Sequence, residues 1–255
     1  MTAYPLVTIL PFEVDDDTLP IVPESDLQRL YPYEAAAYEH WILGGSADSL
    51  IGRVNGRSLT PQSNGITYPS EDYLSMLGTQ GKALLTDMEE SITHTDTIVA
   101  VLRRTGGSPA ACVPFGTLSP SADAPTTGCS PFFSTADVIW NRANGLNTGV
   151  STGKTAPEDV WLFIAMARSI TALGMTIRLL VGGQTLHQEA PAGTYRPAAS
   201  PKKIALGSAY FNSNASAAQD VAEFLLFDQA LSASALAALY ARTKARCADR
   251  GITVV

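Results

Sequence analysis

Apolar residues in this sequence come in short runs that stop at turn chemistry, a pattern that leaves little room for anything but an all-β fold. Residues 97–104 (TIVAVLRR) are rich in β-branched side chains and end just before Gly106-Gly107. Residues 136–142 (ADVIWNR) alternate and run into Asn144-Gly145, a pair suited to the positive φ of a tight hairpin. Residues 161–170 and 175–181 make two more runs, with Gly182-Gly183 turning the chain into residues 184–188; residues 203–208 and 221–227 follow. Runs this short, punctuated this often, predict the strands of a sandwich. βαβ units would need helical patterns between them.

One stretch departs from this pattern. Ser232 is placed to cap a helix over residues 233–249, with Gly251 just past its end. Leu236, Leu239, Tyr240, Thr243 and Cys247 then fall on one helical face. Arg242, Lys244, Arg246 and Arg250 lie in the second half, where the helix dipole favours cations. Such a helix packs on the sandwich, burying Leu236 and Leu239, and does no chemistry.

Residues 1–40 read differently from the rest. Residues 6–10 form a short strand-like run, followed by Pro11, Glu13, Asp15, Asp16, Asp17, Pro20 and Pro23. Proline at this density removes ladder donors and keeps the chain extended. The expectation is an N-terminal arm over 1–40, with a helical patch from Ser25 to about Ala37, serving attachment or oligomerisation. The β-sandwich then occupies 41–255.

Charged residues make up 16% of the chain and the formal net charge is −7. An acidic chain without a basic cluster excludes a nucleic-acid partner, because phosphate binding needs a basic face. Arg103-Arg104 and Lys202-Lys203 are isolated pairs, read as solvated strand ends. The longest apolar stretch, residues 160–167, is far short of a membrane span, and no basic segment followed by an apolar run marks a secretory signal. Three cysteines, Cys112, Cys129 and Cys247, show no C-x-x-C spacing, so zinc is not expected. Cys112 and Cys129 either face each other across neighbouring strands or are free buried thiols; the latter suits a reducing compartment.

The sequence Ile204-Ala205-Leu206-Gly207-Ser208, a polar loop, and then residues 221–232 (VAEFLLFDQALS) resembles the closing segment of the laminin-G-like, concanavalin-A-like lectin/glucanase superfamily. In such domains a strand ends in Leu-Gly, a loop follows, and a strand carrying a glutamate runs through Asp-x-x-Leu-Ser into a short helix. Residues 161–165 resemble the central strand of the family, and 175–183 its hairpin. The resemblance implies a concanavalin-A-like jelly-roll β-sandwich with a C-terminal helix. Within the superfamily the chain most resembles bacteriophage tail-fibre, baseplate and virion-surface proteins. That implies assembly in the host cytoplasm, contacts with other virion proteins, self-association such as a trimer, and a host cell-surface glycan as ligand.

Glucanases of this fold carry catalytic carboxylates at alternate positions on one strand face. Here Glu13, Asp15 and Asp17 alternate, but within the arm. Asp87 and Glu89 alternate too, with Met88, Glu90 and Ser91 beside them reading as a loop. Neither set reproduces the family's Glu-x-Asp-x-x-Glu, so no catalytic residue is expected and the chain is read as a non-enzyme. Residues 149–155 are one residue short of a phosphate-binding loop, and Ala156-Pro157 follows where a helix should start; they read as a turn. His40, His94 and His187 stand singly, so neither a metal nor a cofactor is expected. Were calcium bound, Asp48 and Asp123 would be the loop carboxylates to consider.

Sugar binding needs an aromatic face against C–H groups, beside planar amide, carboxylate or guanidinium partners. Trp140, Asn141, Arg142 and Asn144 offer that mixture at a strand end, Tyr195 and Arg196 in a loop, and Tyr210, Asn212 and Asn214 in another. Trp140 also alternates with Val138 as a core residue would, while Arg142 shares its face. Three functions follow from these features: a non-catalytic attachment lectin at the virion surface, a structural decoration or baseplate subunit, and a polysaccharide-cleaving spike.

Overall fold

The computed structural model describes residues 32–91, 93–105, 110–119, 127–134, 137–142, 149–171, 174–190, 202–211 and 218–255; at 110–112, 134, 137–142 and 149–150 it gives the backbone alone. In chain order the strands are β1 (Glu39–Ile42), β2 (Thr60–Pro61), β3 (Ile66–Ser70), β4 (Tyr73–Leu77), β5 (Leu84–Glu90) and β6 (His94–Thr105). Next come β7 (Ala110–Cys112), β8 (Phe115–Gly116), β9 (Cys129–Ser134), β10 (Asp137–Arg142) and β11 (Gly149–Thr155). β12 (Leu162–Thr171), β13 (Gly174–Val181), β14 (His187–Glu189), β15 (Lys202–Leu206), β16 (Ala218–Phe227) and the helix α1 (Ala233–Ala248) complete the set.

A large antiparallel sheet runs β14-β13-β12-β6-β16-β4-β3, with β1 also pairing β16. Two four-stranded sheets, β11-β10-β9-β7 and β2-β5-β15-β8, supply the opposing layer. Alternation along the central strands explains the packing. Ile98, Ala100 and Leu102 of β6 and Ile164 and Met166 of β12 point inward, meeting Leu84, Phe115, Phe133 and Ile204 of the small sheets. Their neighbours Val99, Val101, Phe163 and Ala165 point outward and are covered by Leu236, Leu239 and Cys247 of α1, together with Ile252 and Val254. Strands buried on both faces read as continuous apolar runs, which is why residues 161–170 look uniform in sequence. The chain is therefore an all-β antiparallel sandwich with a C-terminal helix on the outer face of its larger sheet, as expected. The Ser232 Oγ accepts from the Ala235 N–H at 3.2 Å, so the cap is the predicted one.

Several local expectations are corrected. Residues 87–90 are not a loop: they are the second half of β5, with Asp87 and Glu89 on its exposed side and Met88 and Glu90 buried. Residues 149–155 form strand β11, not a turn; opposite Val138 and Ile139 the register jumps from Lys154 to Ser151, leaving Thr152 and Gly153 as a bulge, and Gly153 takes φ 66°. The part of the proposed helical patch that is described, residues 32–37, is coil and turn. The sheet starts before Trp41, since Glu39 and His40 pair with Leu226 and Leu225. Residues 6–10 and the proline-rich acidic stretch lie outside the described residues. Cys112 stands opposite Phe133, not Cys129; Cys129 and Cys247 are free and buried.

Candidate functional site

Two buried charge clusters tie the layers together. On the inner side, Arg168 stands directly across from Asp96 and donates from Nε to Oδ1 at 2.8 Å and from Nη2 to Oδ2. Its Nη1 donates to Glu90 Oε2 at 2.5 Å, and the Thr117 hydroxyl donates to the same oxygen at 2.6 Å. Burial works against the Asp96 charge, but the Arg168 guanidinium overcomes it and holds the carboxyl below its ordinary range. Burial pushes the adjacent Cys129 thiol up to about 12, which makes it an inert thiol and not a nucleophile. This cluster clamps β5 to the large sheet.

On the outer side the hub is Glu223. The register of β16 against β6 slips so that Val221 faces Leu102 and Glu223 faces Val101, leaving Ala222 as an extra residue. A bulge of this kind re-aims the side chain after it. Glu223 therefore joins the outward-facing Val101 beneath α1, and does not point into the core. There it accepts from Arg246, whose Nη2 is 2.8 Å away, and pairs with Arg250 and His40 Nε2 at 3.4 and 3.2 Å. The Glu34 N–H donates to His40 Nδ1 at 3.1 Å, so His40 is neutral with its proton on Nε2. Burial keeps the His40 pKa below its ordinary value despite Glu223. Arg246 and Arg250, expected from sequence in the dipole-favoured half of the helix, are buried ion-pair partners.

The outer face of the large sheet continues beyond α1, where Leu77 is exposed, Tyr73, Ser75, Arg103 and Trp161 are half-buried and Asp220 is buried. Two cross-strand rows form it: Leu77–Ala218–Thr105 and Ser75–Asp220–Arg103. Tyr73 and Trp161 flank them, their rings 5.5 Å apart at 62°. The Arg103 guanidinium lies 5.2 Å from the Tyr73 ring centre and 4.9 Å from that of Trp161. Asp220 fixes it, accepting from Arg103 Nε at 2.8 Å, and takes a second hydrogen bond from the Ser75 hydroxyl. Leu77, 41% exposed, continues the patch as bare apolar surface. Two aromatic rings, a braced guanidinium, a hydroxyl and an apolar margin on one rigid sheet face match the chemistry a pyranose ring requires. Arg103 and Arg104 are thus not solvated strand ends: Arg104 is buried, donating to the Ala156 carbonyl at 2.6 Å with its guanidinium 5.5 Å from the Phe133 ring centre.

Tyr38 and Tyr210 are likewise capped by cations. Arg57 lies 4.1 Å over Tyr38 and pairs with Asp87, to which the Tyr38 hydroxyl donates at 3.3 Å. Tyr210 donates to the Lys203 carbonyl at 3.0 Å, with Lys202 Nζ 5.0 Å from its ring centre. Of the sites expected from sequence, Trp140, Asn141 and Arg142 lie on β10 opposite Pro131, Ser130 and Cys129 of β9. Asn144, Tyr195, Arg196, Asn212, Asn214 and Asp123 fall outside the described residues. Asp48 is exposed in the short 3-10 turn Ala47–Leu50. Among the described residues no group of His, Cys, Asp and Glu is arranged to hold a metal ion. The sequence reading missed Tyr73, Ser75, Arg103, Trp161 and Asp220 as a group. The only signal was polar residues alternating with Leu74 and Met76, and cross-strand register is needed to bring Asp220 and Arg103 alongside.

No family model matches the sequence, and no curated protein matches it. Solved structures share the fold. The botulinum neurotoxin serotype G binding domain aligns over 82% of this chain and 51% of its own, with TM-score 0.58 and 12% identity. The ligand-binding domain of botulinum neurotoxin serotype D, solved in complex with N-acetylneuraminic acid, aligns over 81% and 51%, with TM-score 0.52 and 10% identity. The binding domain of Paraclostridial Mosquitocidal Protein 1 aligns over 78% and 51%, with TM-score 0.53 and 14% identity. The chain thus spans about half the length of each. At such identities the likeness concerns the sandwich fold.

Proposed function

We propose that this chain is a non-catalytic carbohydrate-binding module that uses the outer face of its large sheet, at Tyr73, Trp161 and Arg103, to engage a cell-surface glycan. The observation that carries the proposal is the Ser75–Asp220–Arg103 row beside two half-buried aromatic rings on the outer sheet face, with Leu77 exposed at its margin. Sheet-borne side chains hold a binding geometry more rigidly than loop-borne ones. The three similar structures named above are binding domains, one of them in complex with an acidic sugar, which supports a recognition role over a catalytic one.

Asp87 and Glu89 do alternate on a strand, the placement a retaining glycosidase uses, but Arg57 and Tyr38 engage Asp87 as an acceptor. The setting we propose is attachment at a virion surface, with self-association and other virion proteins as partners. It rests on the resemblance carried by residues 161–165, 175–183, 204–208 and 221–232 and on the acidic, proline-rich arm. A structural subunit of the same particle is the second reading, favoured by the two sealed charge clusters. Carbohydrate binding by the purified protein, with and without the Trp161 ring, separates the two.

A further inference from the structure

We propose that the sheet-face site selects glycans whose contacting residue bears no carboxylate, sulfate or phosphate. This inference rests on the carbohydrate-binding reading of that face and adds the chemical class of its ligand. Arg103 is the one cation in the two cross-strand rows, and its charge is already matched. Asp220 accepts from both Nε and Nη2 of Arg103 at 2.8 Å, through one carboxylate oxygen. Its other oxygen takes the Ser75 hydroxyl. A guanidinium recruits an anion as a fork, through paired N–H groups on one edge. Here one such edge is committed to a buried carboxylate on the neighbouring strand. The Nη1 side then serves as an N–H donor suited to a hydroxyl or an acetamido oxygen.

Charge around the site points the same way. Arg104, next along β6, carries its guanidinium to the inner layer, against the Phe133 ring. Glu158 bridges Arg104 through the backbone, and the Asp159 N–H donates to the Arg104 carbonyl at 2.9 Å. Both acids are exposed, just ahead of Trp161 in the chain. At the other ring, Glu71 and Asp72 form the turn before Tyr73. Glu71 is exposed, and Asp72 lies 3.6 Å from the buried Arg250, whose charge Glu223 already shares. Each aromatic ring therefore follows a pair of acids, and the one guanidinium between the rings is neutralised. An acidic sugar placed there meets an excess of like charge, whereas a neutral sugar meets hydroxyl and N–H groups. Asp159 also takes φ 56°, alone among the described residues other than glycine. Aspartate and asparagine are the side chains that best tolerate this left-handed region. Its charge can therefore be removed by asparagine without disturbing the turn.

The test is a glycan array on which each neutral oligosaccharide stands beside its sialylated, sulfated and uronic-acid derivatives, probed with the full chain at low and at physiological ionic strength. Among glycans whose retention depends on Trp161, the neutral member should bind at least tenfold more tightly than its acidic derivative at low salt. The gap should narrow as salt screens the exposed carboxylates. Glu158→Gln combined with Asp159→Asn should raise the acidic-to-neutral binding ratio at least threefold. Asp220→Asn, which withdraws the partner of Arg103, should raise it as well; if that variant fails to fold, the paired variant decides. Acidic derivatives bound as tightly as their neutral partners overturn the inference, as does a ratio that the paired variant leaves unmoved. In both cases dependence on Trp161 leaves the site itself standing. Retention indifferent to Trp161→Ala, or no retention of any glycan, removes the site and this inference with it.

Discussion

Glu223 of β16 and Arg246 of α1 meet fork to fork, Nε to Oε1 at 3.0 Å and Nη2 to Oε2 at 2.8 Å, with both side chains sealed from water. The contact exists because a bulge in β16 turns Glu223 outward, toward the helix and away from the inner core. Arg250 and His40 complete the shell around the carboxylate. A single glutamate thus fixes the helix, the first strand and the end of the chain in one arrangement.

Removing that charge leaves two buried guanidinium groups without their shared carboxylate. Glu223→Gln should destabilise the fold by about 3–5 kcal/mol, as expected when one partner of a buried ion pair is lost. Urea unfolding followed by circular dichroism should report a lower midpoint with an unchanged slope. A midpoint within error of the wild type would place the helix attachment elsewhere.

The apolar half of the same interface gives a second measurement. Leu236 is fully buried against Val99, Phe163 and their neighbours on the outer face. Leu236→Ala should cost about 2–5 kcal/mol, the range for a large-to-small core change. Ala237→Ser, one position along on the exposed side, should leave the melt nearly unmoved.

Acid should unfold the protein in two stages. Burial keeps His40 neutral in the folded state, so below its ordinary pKa of 6.5 the unfolded chain binds a proton that the folded chain refuses, and stability falls as pH falls. Burial works against both charges, but His40 and Arg246 hold Glu223 low and Arg168 holds Asp96 low. Their contribution is present above the ordinary carboxylate range and is lost as pH falls below it. Urea midpoints should therefore decline gently from pH 7 to 5 and steeply below about 4. His40→Asn should flatten the first stage alone. A midpoint independent of pH between 7 and 5 would contradict the His40 assignment, and one without a steep fall below about 4 would contradict that of Glu223 and Asp96.

How much of this was visible in the sequence follows from what each feature depends on. Strand runs such as residues 97–104 and the helix from Ser232 onward are encoded locally, by turn pairs, a cap and apolar spacing, and they appear as expected. Residues 87–90 misled because three acids among four residues mimic a loop, whereas Asp87 and Glu89 lie on the exposed face of a strand and Glu90 is buried. Residues 149–155 misled because Gly153 in a bulge looks like Gly in a turn. The burial of three arginines was not legible for a different reason. Arg168, Arg246 and Arg250 are stabilised by carboxylates far away in sequence, and composition alone reads any such residue as surface. The sheet-face patch is the hardest case, since Asp220 and Arg103 become neighbours only through strand register.

The most direct test of the binding account is a glycan array probed with the purified protein, its Trp161→Ala variant and its Tyr210→Ala variant, with reducing ends assayed on any carbohydrate retained. Wild type should retain a defined set of glycans without releasing reducing ends. Trp161→Ala should bind them at least tenfold more weakly, about 1.4 kcal/mol, with its fold intact by circular dichroism, and Tyr210→Ala should bind as the wild type does. Undiminished binding by Trp161→Ala, no retained glycan at all, or cleavage of the retained chains would contradict it.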